Sequence, residues 1–374
     1  MPKELNMLHI LLMSIRIMVI PQKEGWSMII DIDMHWLPEN LFSDKKLLRQ
    51  LLEIVPRAYG EYASVTTIPG TDKMQIIIEK PKGYVNLNYT ELDVSPSKRL
   101  EDMKEAGVDK AILRITCWQE WLTLDLCKKF NDLLAAYINE HADKFLGLAV
   151  VPPWGNEESL EEMDRCIKDL GFSGIQCVAR YGTLYLDEEE FRPFFKKVNQ
   201  LGVPLVVHHT PLPVEYNSIY KYTNLRRQYG RCMVQMISLS RILFSGLLDD
   251  FPNLVLIFTM LGGGFFAYTK MLAGERSKTW EEIERFDPAA EKVRKYLDKN
   301  IYFELTAPTI WSKHQLECAV KELGADHILF GSGYPVRREW LLKGVEYIRS
   351  LDVSEKEKEQ ILGENAISLF KIKV

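Results

Sequence analysis

The stretch Met28-Ile29-Ile30-Asp31-Ile32-Asp33-Met34-His35 is a short apolar run that closes on two carboxylates and an imidazole. Its β-branched residues and its length, too short for a helix, read as a buried strand over 28–32. Seven further runs of the same kind follow, at 110–115, 145–151, 174–178, 204–207, 254–259, 301–304 and 327–330. Between them lie longer segments with apolar residues at three- and four-residue spacing, among them 126–142, 157–170, 189–201 and 312–322. Strands alternating with helices build a parallel sheet covered by helices. Eight alternations favour a closed sheet over an open one, so the fold class is read as α/β, a distorted TIM (β/α)8 barrel with βα-loop insertions.

Two stretches break the rhythm, 41–97 after the first strand and 217–250 after the fifth. The first contains 74–78, a hairpin-like run. Insertions of this kind sit over the carboxyl ends of barrel strands, where ligands bind, and are read as lid or dimer-contact elements. Residues 28–374 are read as one barrel domain. Residues 1–27 read as an N-terminal extension, disordered or the product of an alternative start; the apolar part, 8–20, is broken by His9, Ser14 and Arg16 and is too short to span a bilayer.

A chain of 374 residues that is 47% hydrophobic and 26% charged can bury a large core. Its net charge of -5, with Lys and Arg dispersed, offers no basic stripe for nucleic acid. Cys117, Cys127, Cys166, Cys177, Cys232 and Cys318 fall singly, as reduced thiols of a cytoplasmic protein do.

Strand alternation places Asp31, Asp33 and His35 on one face, aimed at the barrel mouth. The fifth strand ends in His208 and His209. An imidazole at a strand end is costly unless bonded or coordinated, and Asp33, His35 and His208 would together form a two-histidine, one-carboxylate set suited to a divalent metal, Zn or Mn. The plainer reading of each histidine is a hydrogen-bonded core residue, and His209, pointing the other way along the strand, is read as structural. His9, His141, His314 and His327 lie in helical or loop contexts and are read the same way. Gly262-Gly263-Gly264 follows a strand but lacks the Lys-Ser or Lys-Thr of a phosphate loop.

Taken with Met103 to Asp109, Gly171 to Gln176, Leu261 to Gly264, Gly331-Ser332-Gly333-Tyr334-Pro335 and Gly363 to Ala366, these landmarks resemble the amidohydrolase-related (amidohydrolase family 2) superfamily. The similar branch contains aminocarboxymuconate-semialdehyde decarboxylase and the dihydroxybenzoate decarboxylases. The resemblance implies one divalent metal held after strands one, five and eight, a histidine acting as acid and base before a glycine-rich turn, and a homodimer. Asp33, His35 and His208 match three of the implied ligand positions. Two positions depart: the acid/base histidine aligns with Met260 and the strand-eight aspartate with Gly333. A thioether does not shuttle protons at neutral pH, and a glycine neither ligates nor accepts.

Arg180, after strand four, can clamp a carboxylate, and Trp36, Tyr181 and Trp118 can wall a ring. Glu304, ending strand seven, is the nearest carboxylate to a missing role. The implied activity is that of an amidohydrolase-superfamily enzyme, a decarboxylase (carbon–carbon lyase) or hydrolase using a divalent metal on a small, cyclic carboxylate, with His208, Arg180 and Glu304 as catalytic candidates. The two departures keep open a metal-independent enzyme and a barrel that binds a ligand or partner without turnover.

Overall fold

The computed structural model describes residues 28–57, 60–115, 118–211, 215–273 and 290–373. The 1–27 extension and Cys117 lie outside the described residues. Strands in chain order are β1 (Ile30–Trp36), β2 (Tyr62–Thr67), β3 (Met74–Glu79), β4 (Val85–Thr90), β5 (Lys110–Ile115), β6 (Phe145–Val150), β7 (Gly174–Val178), β8 (Arg180–Tyr181), β9 (Leu184–Tyr185), β10 (Leu205–His208), β11 (Leu256–Phe258), β12 (Ile301–Glu304) and β13 (Ile328–Leu329). Eight of them form one parallel sheet in the order β1, β5, β6, β7, β10, β11, β12, β13. These are the eight strands expected from the sequence, and the fold is the distorted (β/α)8 barrel.

Closure is irregular. Strand β13 is two residues long, and the sheet meets β1 through the segment after it: Ile32 N donates to Phe330 O at 3.0 Å and His35 N to Tyr334 O at 2.7 Å. The pairing of β1 with β5 shifts register between Asp31 and Met34. That bulge changes which side chains face inward. Ile30 and Ile32 belong to the inner apolar cluster with Ile112, Leu148, Val206, Ile257 and Leu329, capped below by Phe370 and Ile372. Asp31, between those isoleucines, faces away and accepts from Ser332 N at 3.0 Å and Ser332 Oγ at 2.5 Å. The expectation that Asp31 shares a face with Asp33 and His35 is therefore corrected.

Two residues beyond the inner apolar layer, the same inward parity brings Arg114 after Ile112, His208 after Val206 and Glu304 after Tyr302. The interior thus changes from hydrocarbon to charge within one step along the strands.

The insertions are ordered by each other. Strands β2, β3 and β4 make an antiparallel sheet. The second insertion continues through Leu225–Tyr229 into the helix Gly230–Phe244. Arg226 Nη2 donates to Val85 O at 2.9 Å and Arg231 Nη2 to Asn86 O at 3.4 Å, which ties that helix to β4.

After β11 the chain makes a turn in which Met260, Leu261, Gly262, Gly263 and Gly264 all have positive φ, from 51° to 84°. For Met260 and Leu261 this left-handed conformation is strained, and it persists because the surroundings hold it. At Gly263 a β-carbon would overlap the carbonyl oxygen of Cys232. Gly263→Ala is therefore expected to lower the urea midpoint by more than Gly107→Ala, whose φ of 73° is similarly left-handed but whose surroundings are open. The second change should cost roughly 1–2 kcal/mol; equal losses for the two variants would contradict the packing argument.

Candidate active site

A cavity of about 330 Å³ opens at the carboxyl ends of the strands. Its floor is built from five of them: His35 and Trp36 from β1, His208 and His209 at the end of β10, Met260 after β11, Thr306 after β12 and Gly333 after β13. Its roof comes from β4, through Asn88 and Tyr89, and from the second insertion, through Arg227 and Arg231; Arg337 and Trp340 close one side. The insertions thus cover the mouth.

Beneath the floor lies a buried charge cluster. His35 and Arg114 are register partners on neighbouring strands, so their side chains rise together. Arg114 Nε donates to Asp33 Oδ1 at 2.8 Å and Nη2 donates to the same oxygen. Nη2 also reaches His35 Nε2 at 3.2 Å. The same His35 nitrogen lies 3.4 Å from Asp33 Oδ1. The Arg114 guanidinium and two hydrogen bonds hold the Asp33 carboxyl well below the ordinary carboxylate range against the opposing effect of burial. Burial, with Arg114 adding to it, holds His35 below its ordinary value.

His208 is wholly buried, and neither ring nitrogen has a hydrogen-bond partner among the described residues. Burial, helped by the positive charge of Arg114, pushes it well below its ordinary pKa, so the ring is neutral. Its ring stands 5.6 Å from that of His35 and 3.7 Å from that of His209. His209, expected to point away, lines the cavity too, because β10 ends at His208 and alternation stops there.

Glu304 does not reach the cavity. Its carboxyl accepts from Thr306 N and Thr306 Oγ1. Burial and the neighbouring Asp33 charge push its pKa well up, which makes it a neutral acid below the floor. Thr306 Oγ1 accepts from Met260 N at 3.1 Å, and so links Glu304 to the strained turn.

Of the residues expected to bind substrate, Trp36 is at the cavity. Arg180 and Tyr181 are not. Arg180 lies in the short β8–β9 hairpin, 5.9 Å over the ring of Tyr185. Tyr181 is buried against Phe191 and Trp154, and its hydroxyl accepts from Val178 N. Trp118 is core, its ring 4.6 Å from that of Tyr89. Among the described residues the cavity is lined instead by Arg227, Arg231 and Arg337, with one carboxylate, Asp93, which accepts from Thr90 N at 2.8 Å. Arg227 and Arg231 are four apart in the second insertion, a spacing that puts both on one helix face and was visible in the sequence. Arg114 was visible as well, as the one charge inside the buried run Ala111-Ile112-Leu113-Arg114-Ile115.

The metal expected at Asp33, His35 and His208 does not fit these residues. The Asp33 oxygen and the His35 nitrogen that would ligate it are both engaged by one guanidinium nitrogen. No group of three or more metal-binding side chains is assembled among the described residues. Met260 and Gly333, at the two departing positions, line the cavity without supplying a ligand or an acid.

No helix among the described residues is long and apolar enough to cross a membrane. The family model described as amidohydrolase matches residues 30–372. Gamma-resorcylate decarboxylase of Rhizobium sp. (strain MTP-10005) is 27% identical over 301 residues, 76% of this chain and 90% of that protein. The 2-amino-3-carboxymuconate-6-semialdehyde decarboxylase of Dictyostelium discoideum is 25% identical over 354 residues, 92% of each. Among solved structures, the dihydroxybenzoic acid decarboxylase of Polaromonas sp. JS666, with bound manganese and the inhibitor 2-nitroresorcinol, superposes with a TM-score of 0.69 at 21% identity, covering 92% of this chain and 97% of that one. The enzyme class expected from the landmarks agrees with the family match, and with its barrel, its covered mouth and its strand-end histidines this chain belongs to the amidohydrolase family.

Proposed function

We propose that the protein is a decarboxylase acting on a small, planar, hydroxylated aromatic carboxylate bound in the 330 Å³ cavity. The observation that carries this reading is His208, a neutral imidazole with both nitrogens unpartnered, facing a cavity whose rim holds three arginines. Trp36, Tyr89 and Trp340 supply flat apolar walls for a ring, and Arg231 and Arg227 supply the donors that fix a carboxylate. The named activities of the relatives lie in the same class.

A neutral imidazole can run this reaction as base and then as acid. His208 takes the proton of a ring hydroxyl next to the carboxylate, and the resulting phenolate raises electron density at the carboxylated carbon. The imidazolium returns that proton to the same carbon. The carbon–carbon bond then breaks, its electron pair restores the aromatic ring, and carbon dioxide leaves. Glu304, neutral below the floor, holds Thr306 in place and adds no negative charge to oppose an anionic substrate.

The direct test is carbon dioxide release from a panel of ortho-hydroxybenzoates including 2,6-dihydroxybenzoate; no turnover of any member sinks the reading. Given turnover, His208→Asn should lower kcat by about 100-fold or more. Arg231→Met should raise KM by about 10-fold or more and change kcat less.

The neutral state of His208 and His209 also sets a pH dependence. Both are held well below the ordinary value of 6.5, so below that pH the unfolded chain binds protons that the folded one does not. Stability is then full above about pH 6.5 and falls on acidification, with a slope approaching about 1.4 kcal/mol per pH unit for each ring. Urea unfolding between pH 7.5 and 5.5 should show a shallower slope in His208→Asn than in the wild type; unchanged slopes would show that the ring is already charged.

A further inference from the structure

We propose that the Arg114 guanidinium occupies the place a divalent ion would need among Asp33, His35 and His208, so that the built-in cation of this site is an arginine and not a metal. The geometry is that of a substitution. A divalent ion would sit at about 2.0–2.2 Å from a carboxylate oxygen and an imidazole nitrogen at once. Here Asp33 Oδ1 and His35 Nε2 are 3.4 Å apart, and it is Arg114 Nη2 that bridges them.

Burial makes the occupancy firm. Arg114 and Asp33 are both fully buried, and a buried charge that loses its partner is strongly destabilised. An incoming cation would therefore have to expel the guanidinium from the Asp33 carboxylate and leave it inside the barrel, next to the ion. Arginine stays protonated in such a setting.

Two positions around the cluster agree. Gly333, which lines the cavity after β13, contributes no carboxylate to charge-balance a divalent ion. Glu304, another nearby acid, is turned away from the cluster to Thr306. In this arrangement Arg114 is a positioning residue. It holds Asp33 Oδ1 and reaches His35 Nε2 at 3.2 Å, and its Nη1 is buried and without a hydrogen-bond partner among the described residues. The inference concerns the cation itself; only the class of ligand it would face rests on the decarboxylase reading.

The test needs no substrate. Wild-type protein expressed in medium replete in zinc and manganese and purified without chelator is expected to carry substoichiometric metal by elemental analysis. Its melting temperature should not move when Zn2+, Mn2+ or dipicolinate is added. One equivalent of metal per chain, or a fall of several degrees on chelation, overturns the proposal. Arg114→Ser, which removes the guanidinium and keeps Asp33, His35 and His208, should gain what the wild type lacks, a rise in melting temperature on adding Zn2+ or Mn2+. A folded variant no more responsive to metal than the wild type also overturns the assignment. If that variant does not fold, metal analysis of the wild type decides alone. Stoichiometric metal would leave the decarboxylase reading standing, and an inactive substrate panel would leave this one standing.

Discussion

The ion pair between Asp33 and Arg114 is the constraint on which the site depends. Both charges are removed from water inside a barrel whose next layer down is purely apolar. Separating such a pair costs about 3–5 kcal/mol, because either charge alone would be left unsolvated. The pair therefore dictates the rest of the floor. Asp33 lies within the bulge of β1, His35 shares the guanidinium with it, and the Arg114 charge adds to the burial that keeps His208 neutral. Glu304 completes the balance by staying protonated beside Asp33.

Above this floor the electrostatics are of another kind. Arg227, Arg231 and Arg337 stand at a cavity open to water. The second insertion, which carries Arg227 and Arg231, is held to the first by bonds from Arg226 and Arg231 to backbone carbonyls of β4, so part of the roof is built from the same basic segment that lines the cavity. In the proposed reaction a neutral imidazole below and guanidinium groups above divide the labour between proton transfer and charge recognition.

The relatives make the departures at Met260 and Gly333 informative. Manganese is bound in a structurally similar decarboxylase, while in this chain the residues at the corresponding floor are arranged around a guanidinium. The strained turn through Met260 survives although its side chain offers no proton chemistry. Strain of that order needs a surrounding structure to hold it, and here the Thr306 hydroxyl and the close approach of Gly263 to Cys232 do so.

All eight barrel strands and the role of the two insertions were legible from the chain, because hydrophobic periodicity and strand length are local properties. Trp36, His35 and His208 follow strand ends in the sequence and line the cavity, as do Met260 and Gly333, which the resemblance had pointed to. What failed were inferences that depend on where neighbouring elements lie. Alternation alone aimed Asp31 with Asp33 and turned His209 away, but a register shift and a strand end reversed both. Arg180 was singled out because it directly follows a strand, whereas the cavity is roofed by a helix many residues further on. By itself the sequence determined the barrel and its chemically equipped end; only the tertiary structure decided that Arg114 pairs with Asp33, because partnership between charges depends on distance across strands, which no local pattern encodes.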